Sequence, residues 1–299
     1  MNCKYCGSDS LTRKGFVSEK QLYKCKGCGH RFFLNDNFPK MRLDKNAVVV
    51  ALNLYYDGLS LRKTQRNLNQ MLGVRVSQVT VLNWITKYSK LVAEFTKGLT
   101  PNLSGKWHED ETMLRVEGRD SWFWEMIDEE TKFQVASHIS GTRTFEDTVT
   151  IFRKGLEQSK TRPQAVFVDG SWVYRSAFNK VFYSRYKVGR VELVQRVGIR
   201  ARETNNIVER LHQTLKARTK VMRGLKSMPR TKAMLEGYVV HYNHVRPHMS
   251  LSGKTPAQAT GITEPSDWKG LIERATETKA QAKAEAKEAV TVSAKVIRK

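Results

Sequence analysis

Between residues 43 and 98 apolar side chains recur at three- and four-residue spacing, and turn residues break the pattern twice. "NAVVVALNLYY", within Leu43 to Tyr56, predicts one helix; Asp57 and Gly58 end it, and Ser60 can cap a second helix running to about Met71. A third helix is expected after Ser77. In it Val79, Leu82, Ile85, Tyr88 and Val92 recur at helical spacing and are predicted to face inward, leaving Gln78, Thr80, Asn83 and Lys87 outside. Residues 40–98 thus predict a helix-turn-helix whose recognition face carries those four polar residues. A plain three-helix packing unit would show the same pattern.

From Trp107 the period falls to two. "KWHEDETMLRV" and "SWFWEMID" read as strands joined by a turn at Gly118 to Asp120, and "KFQVASHIS" follows as a third. An amphipathic helix is expected from about Thr144 to Gln158, then Pro163 and the short strand "AVFV" ending at Asp169. Three strands, a helix, a strand and further helices predict an α/β layered domain over residues 101–264. Beyond it "ETKAQAKAEAKEAV" is an Ala/Lys/Glu tail, residues 265–299, for which helix and disorder both stay open. No apolar run nears the roughly 18 residues of a membrane span, and the start of the chain has no signal-like apolar stretch. A cytoplasmic, nucleoid-associated protein with no membrane partner is expected.

Charge sharpens the picture. The chain of 299 residues carries a formal net charge of +23, and it is uneven: residues 1–100 hold 17 Lys or Arg against 6 Asp or Glu, and residues 180–232 hold 15 against 3. Two separate basic surfaces imply a polyanionic partner, because phosphate neutralisation releases counterions whereas unpaired like charge repels itself. With the helix-turn-helix expected above, double-stranded DNA is the expected partner; a solvated surface tuned for solubility is the alternative. No Gly-rich loop followed by Lys and Ser or Thr is present, so no nucleotide is expected to drive a reaction.

All four cysteines fall in the first 28 residues, as Cys3-x2-Cys6 and Cys25-x2-Cys28. That spacing predicts a zinc ribbon over residues 1–36, with four thiolates completing one tetrahedral Zn²⁺ site. Two disulfides would need an oxidising compartment, and His30 is read as a surface neighbour of the ribbon rather than a ligand.

Three carboxylates stand out. Alternation puts Asp110 on a face with Thr112, Leu114 and Val116, opposite Glu109, Glu111 and Arg115, and an acid on an apolar face needs a cation or a backbone partner. Asp169 closes a buried strand, where α/β folds place ligands. Asp128 also ends a strand, but "DEETK" reads as a hairpin turn. Glu209 is the only acid between Glu203 and Glu236, in a stretch rich in Lys and Arg. A capping box with Asn206 would explain it. His212 at i+3 and Lys216 two turns on lie on its side of the helix, which suits an acid holding a metal beside a DNA phosphate.

"DET" at 110–112, "DG" at 169–170, "NNIVERLHQTLK" with "MRGLKS", and the later "HYNHVRPHMSLSGKTPAQA" resemble the DDE transposases of insertion sequences, in particular the insertion-sequence 6 (240-like) family, over roughly residues 40–260. The resemblance implies a ribonuclease-H-like, retroviral-integrase-type catalytic core with Asp110, Asp169 and Glu209 as catalytic, metal-holding triad. It further implies two Mg²⁺ (or Mn²⁺) per site, DNA cleavage and strand transfer at element ends and target, phosphate contacts from His212 and Lys216, and a homodimer or higher oligomer on DNA. A regulator with an inert α/β body, or a nuclease that cuts without joining, is the alternative. Three departures accompany it: the zinc ribbon is not general in the family, Gln213 stands where a basic residue often follows the His, and 39 residues separate Asp169 from Glu209, which suggests a short insertion within "YSRYKVGRVELVQRVG".

Overall fold

The computed structural model describes residues 2–3, 5–17, 20–33, 45–185, 190–196, 206–222 and 224–296. At the amino end β1 (Leu11–Val17), β2 (Lys20–Cys25) and β3 (Arg31–Phe33) form an antiparallel sheet in that order, small enough that its core is mainly Cys3, Cys6, Cys25, Tyr23 and Phe32.

The next three helices start where the sequence places their caps. α1 spans Lys45–Tyr56, α2 Leu61–Leu72 and α3 Gln78–Thr96. The Ser60 hydroxyl accepts from the Lys63 amide and that of Ser77 from the Thr80 amide, and Gly73 ends α2 at φ 65°, a conformation that costs glycine little. The inward face of α3 differs from expectation: Val79 is 66% exposed, and the buried stripe is Val81, Trp84, Ile85, Tyr88 and Val92. The stripe rotates because α3 packs on several partners at once, α1, α2, α7 (Met228–Val240) and α9 (Trp268–Val296). Asn83 and Lys87 are exposed, Gln78 and Thr80 half-buried, and the Thr80 hydroxyl lies 3.0 Å from that of Ser77 within the cap.

The α/β domain is built on a five-stranded sheet of β4 (Lys106–Val116), β5 (Arg119–Asp128), β6 (Gln134–Ser140), β7 (Ala165–Asp169) and β8 (Glu192–Arg196), in the order β6-β5-β4-β7-β8. Only β5 runs against the others: β4 and β6 pair with it antiparallel, while β4, β7 and β8 are mutually parallel. That order and direction is the ribonuclease-H-like arrangement. The β4–β5 turn falls at Glu117 and Gly118, both at positive φ, rather than at Gly118 to Asp120. The stretch expected to hold an insertion contains β8, so part of the long Asp169–Glu209 interval is the fifth strand; residues 186–189 and 197–205 lie outside the described residues.

Helices cover both sheet faces. On one, α4 (Phe145–Ser159) and α5 (Trp172–Phe182) pack Phe152, Tyr174, Phe178 and Phe182 against Trp107, Trp124, Val166 and Val168. On the other, α6 (Asn206–Lys220) and α7 set Leu215, Leu235 and Val240 against Leu114, Val116 and Phe123. This second core continues without a break through α1–α3 and into α9, crossing the expected boundaries near 98 and 264. The Ala/Lys/Glu tail is therefore helical, and Trp268, Leu271, Ile272 and Ala275 at its start are buried. Gly237 lets α7 approach α1 and α3 closely, since a Cβ there would overlap Tyr56 and Ser89, whose hydroxyls are 2.8 Å apart. In "HYNHVRPH" the Asn243 side chain bonds both backbone groups of Gln134 (2.8 and 2.9 Å), and Thr255 with Gln258 forms the capping box of the short α8 (Pro256–Ala259). That motif works here as structure.

Candidate active site

The strand register sets the site. β4 and β7 pair in parallel with His108 beside Phe167, and their rings stack at 4.6 Å. Two residues further along each strand come Asp110 and Asp169, which therefore share the face turned to α6. One oxygen from each of Asp110, Glu111 and Asp169 lies within 4.8 Å of the others. Asp110 accepts the Glu111 amide at 2.9 Å, and Asp169 accepts that of Ser171 at 2.9 Å. Burial first, then the charges of Glu111, Asp169 and Glu209, push the Asp110 carboxyl up to about 7. An acid so crowded and half withdrawn from water has its anionic form restored by a cation.

Glu109 and Glu111 correct the expectation that only one face of β4 is apolar. Both faces are covered, and these two acids are more deeply buried than Asp110. Glu111 accepts a short hydrogen bond from the Tyr174 hydroxyl and pairs with Arg143, whose guanidinium also reaches Asp169 at 3.6 Å and lies 5.0 Å over the Trp122 ring. Arg143 thereby ties Asp169 to the opposite face of the neighbouring strand. Glu109 is fully enclosed, and neither of its oxygens has a hydrogen-bond partner among the described residues. Asp128 is also fully buried but is spent on turn geometry, accepting from Ser104 and Thr131.

The third expected acid arrives from α6. Glu209 is exposed, and its oxygens stand outside the 4.8 Å cluster, although its charge contributes to the shift at Asp110. Asn206 is already helical, so it is not the N-cap that a capping box with Glu209 requires; the preceding residues lie outside the described set. His212 is corrected. It is 6% exposed, with Nδ1 3.9 Å from Asp110 and Nε2 3.5 Å from Glu125, itself fully buried and held by Gln134. Burial, and then Lys216, bring the imidazole down to about 4, which favours its neutral form, and its depth sets it apart from the exposed phosphate-facing cation expected. Lys216, one turn on, is exposed.

Sequence reasoning missed Glu111, Arg143, Tyr174 and Glu125. A signal existed for two of them: three consecutive acids in one strand cannot all face water, and Glu125 stands directly across from Asp110. Arg143, in the loop before α4, left no periodic trace.

The four cysteine sulfurs also lie within 4.8 Å of one another, with Cys3 to Cys28 at 3.6 Å and Cys6 to Cys25 at 3.5 Å, and all four are free thiols. Those separations are near the edge of a sulfur tetrahedron around an ion about 2.3 Å from each ligand, so the donor set fits Zn²⁺. His30 stacks on Tyr5 and turns Nδ1 to the Cys28 carbonyl.

Known proteins give the same answer as the strand order. The family model for the DDE domain of IS240-type transposases matches residues 104–248. The transposase of insertion sequence-like element IS431mec from Staphylococcus aureus is 22% identical over 235 residues, covering 75% of this chain and 97% of its own. The uncharacterized protein MJ0017 of Methanocaldococcus jannaschii is 30% identical over 183 residues, 61% of this chain and 77% of that one. Among solved structures, the HTLV-2 integrase catalytic core domain in complex with magnesium covers 55% of this chain and 99% of its own at 15% identity, with a TM-score of 0.38, too low to add weight to the topology. No helix among the described residues is long and apolar enough to cross a membrane. With a ribonuclease-H-like sheet, paired aspartates on its adjacent central parallel strands and these relatives, the chain belongs to the DDE transposases of the insertion-sequence 6 (240-like) family and is a polynucleotidyl transferase.

Proposed function

We propose that this transposase binds the ends of its element and cuts and joins DNA strands by in-line phosphoryl transfer at Asp110, Asp169 and Glu209. The observation that carries the reading is the pair of aspartates side by side on parallel strands, with Asp110 raised to about 7 by burial and neighbouring acids. Hard carboxylate oxygens suit Mg²⁺ or Mn²⁺, and two such ions, when bound, would polarise the phosphoryl group and ease both attack and departure of oxygen. Asp110 and Asp169 would hold them, with Glu209 completing the site from α6. Arg143 keeps Asp169 in place through Glu111, and His212, packed between Asp110 and Glu125, lines the side of Asp110 that faces α6. Lys216 would take a phosphate beside the reacting strand, and Gln78, Thr80, Asn83 and Lys87, joined by the exposed Val79, would present the α3 face to a groove. Residues 1–36 and 40–98 would serve end recognition, residues 101–264 the chemistry, in an oligomer that holds two ends together.

Strand transfer with labelled ends and Mg²⁺ tests this. Asp110→Asn, Asp169→Asn and Glu209→Gln should each abolish cleavage and joining while leaving end binding intact. Lys216→Ala should impair joining and lower the salt slope of binding by about one. Cleavage without joining by the wild type would leave only a nuclease, and a fully active Glu209→Gln would move the third acid elsewhere, with Glu111 the nearest replacement.

A further inference from the structure

Between the helical unit and the α6–α7 connection lies a cavity of about 680 Å³. Arg62 and Lys63 of α2, Arg218 of α6, Lys226, and Arg230 of α7 line it, and no Asp or Glu does among the described residues. Gln78, the first residue of α3, stands at its edge.

Arg218 is the unusual member. Only 2% of it is exposed, its guanidinium lies 3.7 Å over the Tyr55 ring, and none of its three nitrogens has a hydrogen-bond partner among the described residues. A buried cation without an acid is costly, since its field is hardly screened and a ring face returns only part of the lost hydration. Glu109 and Glu125, placed as deeply, are carboxylates that burial pushes toward their neutral form. Arginine has no such escape, so the missing counter-charge must come from outside, and the other four cations direct an anion to the same place.

We propose that this cavity seats backbone phosphates of the DNA whose groove α3 faces, with Lys63, Arg62, Lys226 and Arg230 making the contacts at its mouth and Arg218 supplying charge beneath. The inference rests on the DNA reading above and adds a second anchoring point, one that joins the helical unit to the helix carrying Glu209. Arg218 lies nine residues after Glu209 on α6, so a strand held here is tied to the element that brings the third acid to the site.

The test measures binding of the full chain to an element-end duplex and to a random duplex across a range of KCl. The variants are Lys63→Ala with Arg230→Ala, Arg218→Met, and a control pair, Arg153→Ala with Arg162→Ala, exposed on α4 and the loop after it. The cavity pair should lower the salt slope by about two for both duplexes with melting temperature unchanged, and the control pair should leave it alone. Arg218→Met should weaken binding at least several-fold while melting at or above the wild-type temperature, because an unpaired buried charge has been removed. Unchanged slope and affinity in both cavity variants would overturn the phosphate seat and leave the DNA reading standing. Inorganic phosphate protecting the cavity thermally in the wild type, with DNA binding unaltered by the variants, would make it a small-anion site and overturn the proposal equally. Failure of the wild type to bind either duplex at low salt would instead refute the DNA reading itself.

Discussion

Ending the chain at residue 264 should remove much of the protein's stability, although the deleted segment reads as a solvated Ala/Lys/Glu tail. The start of α9 buries Trp268, Leu271 and Ile272 completely and Ala275 almost so, in the core shared by α1, α3 and α7. Full burial of a large apolar side chain stabilises by about 2–3 kcal/mol, so the three large ones contribute about 6–9 kcal/mol. The Trp268 indole also donates to His241 at 3.3 Å and stacks on Tyr56 at 5.5 Å, adding about 1 kcal/mol. Set against about 5–15 kcal/mol for a typical domain, this is half or more of the total. Urea unfolding followed by circular dichroism separates the cases. A chain ending at residue 280 keeps every one of these contacts and should match the full chain within about 0.5 kcal/mol. Trp268→Ala should lose about 3–5 kcal/mol, and the chain ending at 264 should unfold without urea or fail to accumulate. Equal midpoints for the chains ending at 264 and 280 would refute the shared core.

Glu109 and the ribbon give two further predictions. Burial, and then the charges of Glu111 and Asp110, hold the Glu109 carboxyl well above the usual range. The folded state thus binds its proton more tightly than the unfolded one, and its contribution to stability falls as pH rises from the ordinary glutamate value through the raised one. Glu109→Met should stabilise the metal-free protein by about 1–3 kcal/mol at pH 8 and by less at pH 5, read by thermal melts; an equal change at both would show that Glu109 is not the group titrating. Purified protein should carry about one zinc per chain, and Cys25→Ser should lose it and weaken binding to specific ends, by elemental analysis and gel shift. Zinc-free wild type with unchanged end binding in the variant would contradict the ribbon.

Much of the fold was legible because local signals and packing agreed. Ser60, Ser77 and Thr144 mark helix starts, and period-two spacing between Lys106 and Ser140 marks three strands. What escaped depends on contacts distant in sequence. Periodicity places Val79 inward because it cannot tell which of two adjacent stripes meets α7 and α9. The stretch holding β8 looks like an insertion from sequence because a five-residue edge strand carries little pattern of its own. At the site, Asp110 was legible from its place on an apolar strand face and Asp169 from a strand end, whereas His212 looked like a surface cation until β5 placed Glu125 behind it. Arg143 and Tyr174 act through Glu111, a relation between residues 32 and 63 positions apart that no local window contains.

The most direct test of the central claim asks whether the aspartates themselves hold the ion. Asp110→Cys and Asp169→Cys each replace a hard carboxylate by a thiolate, which binds Mg²⁺ poorly and Mn²⁺ far better. Strand transfer by each variant, measured in Mg²⁺ and in Mn²⁺ beside the wild type, is the measurement. Direct coordination predicts loss of activity in Mg²⁺ and its partial return in Mn²⁺, with the wild type active in both. Variants equally active in the two ions, or equally dead in both while folded and bound to DNA, would contradict the assignment of these aspartates as metal ligands.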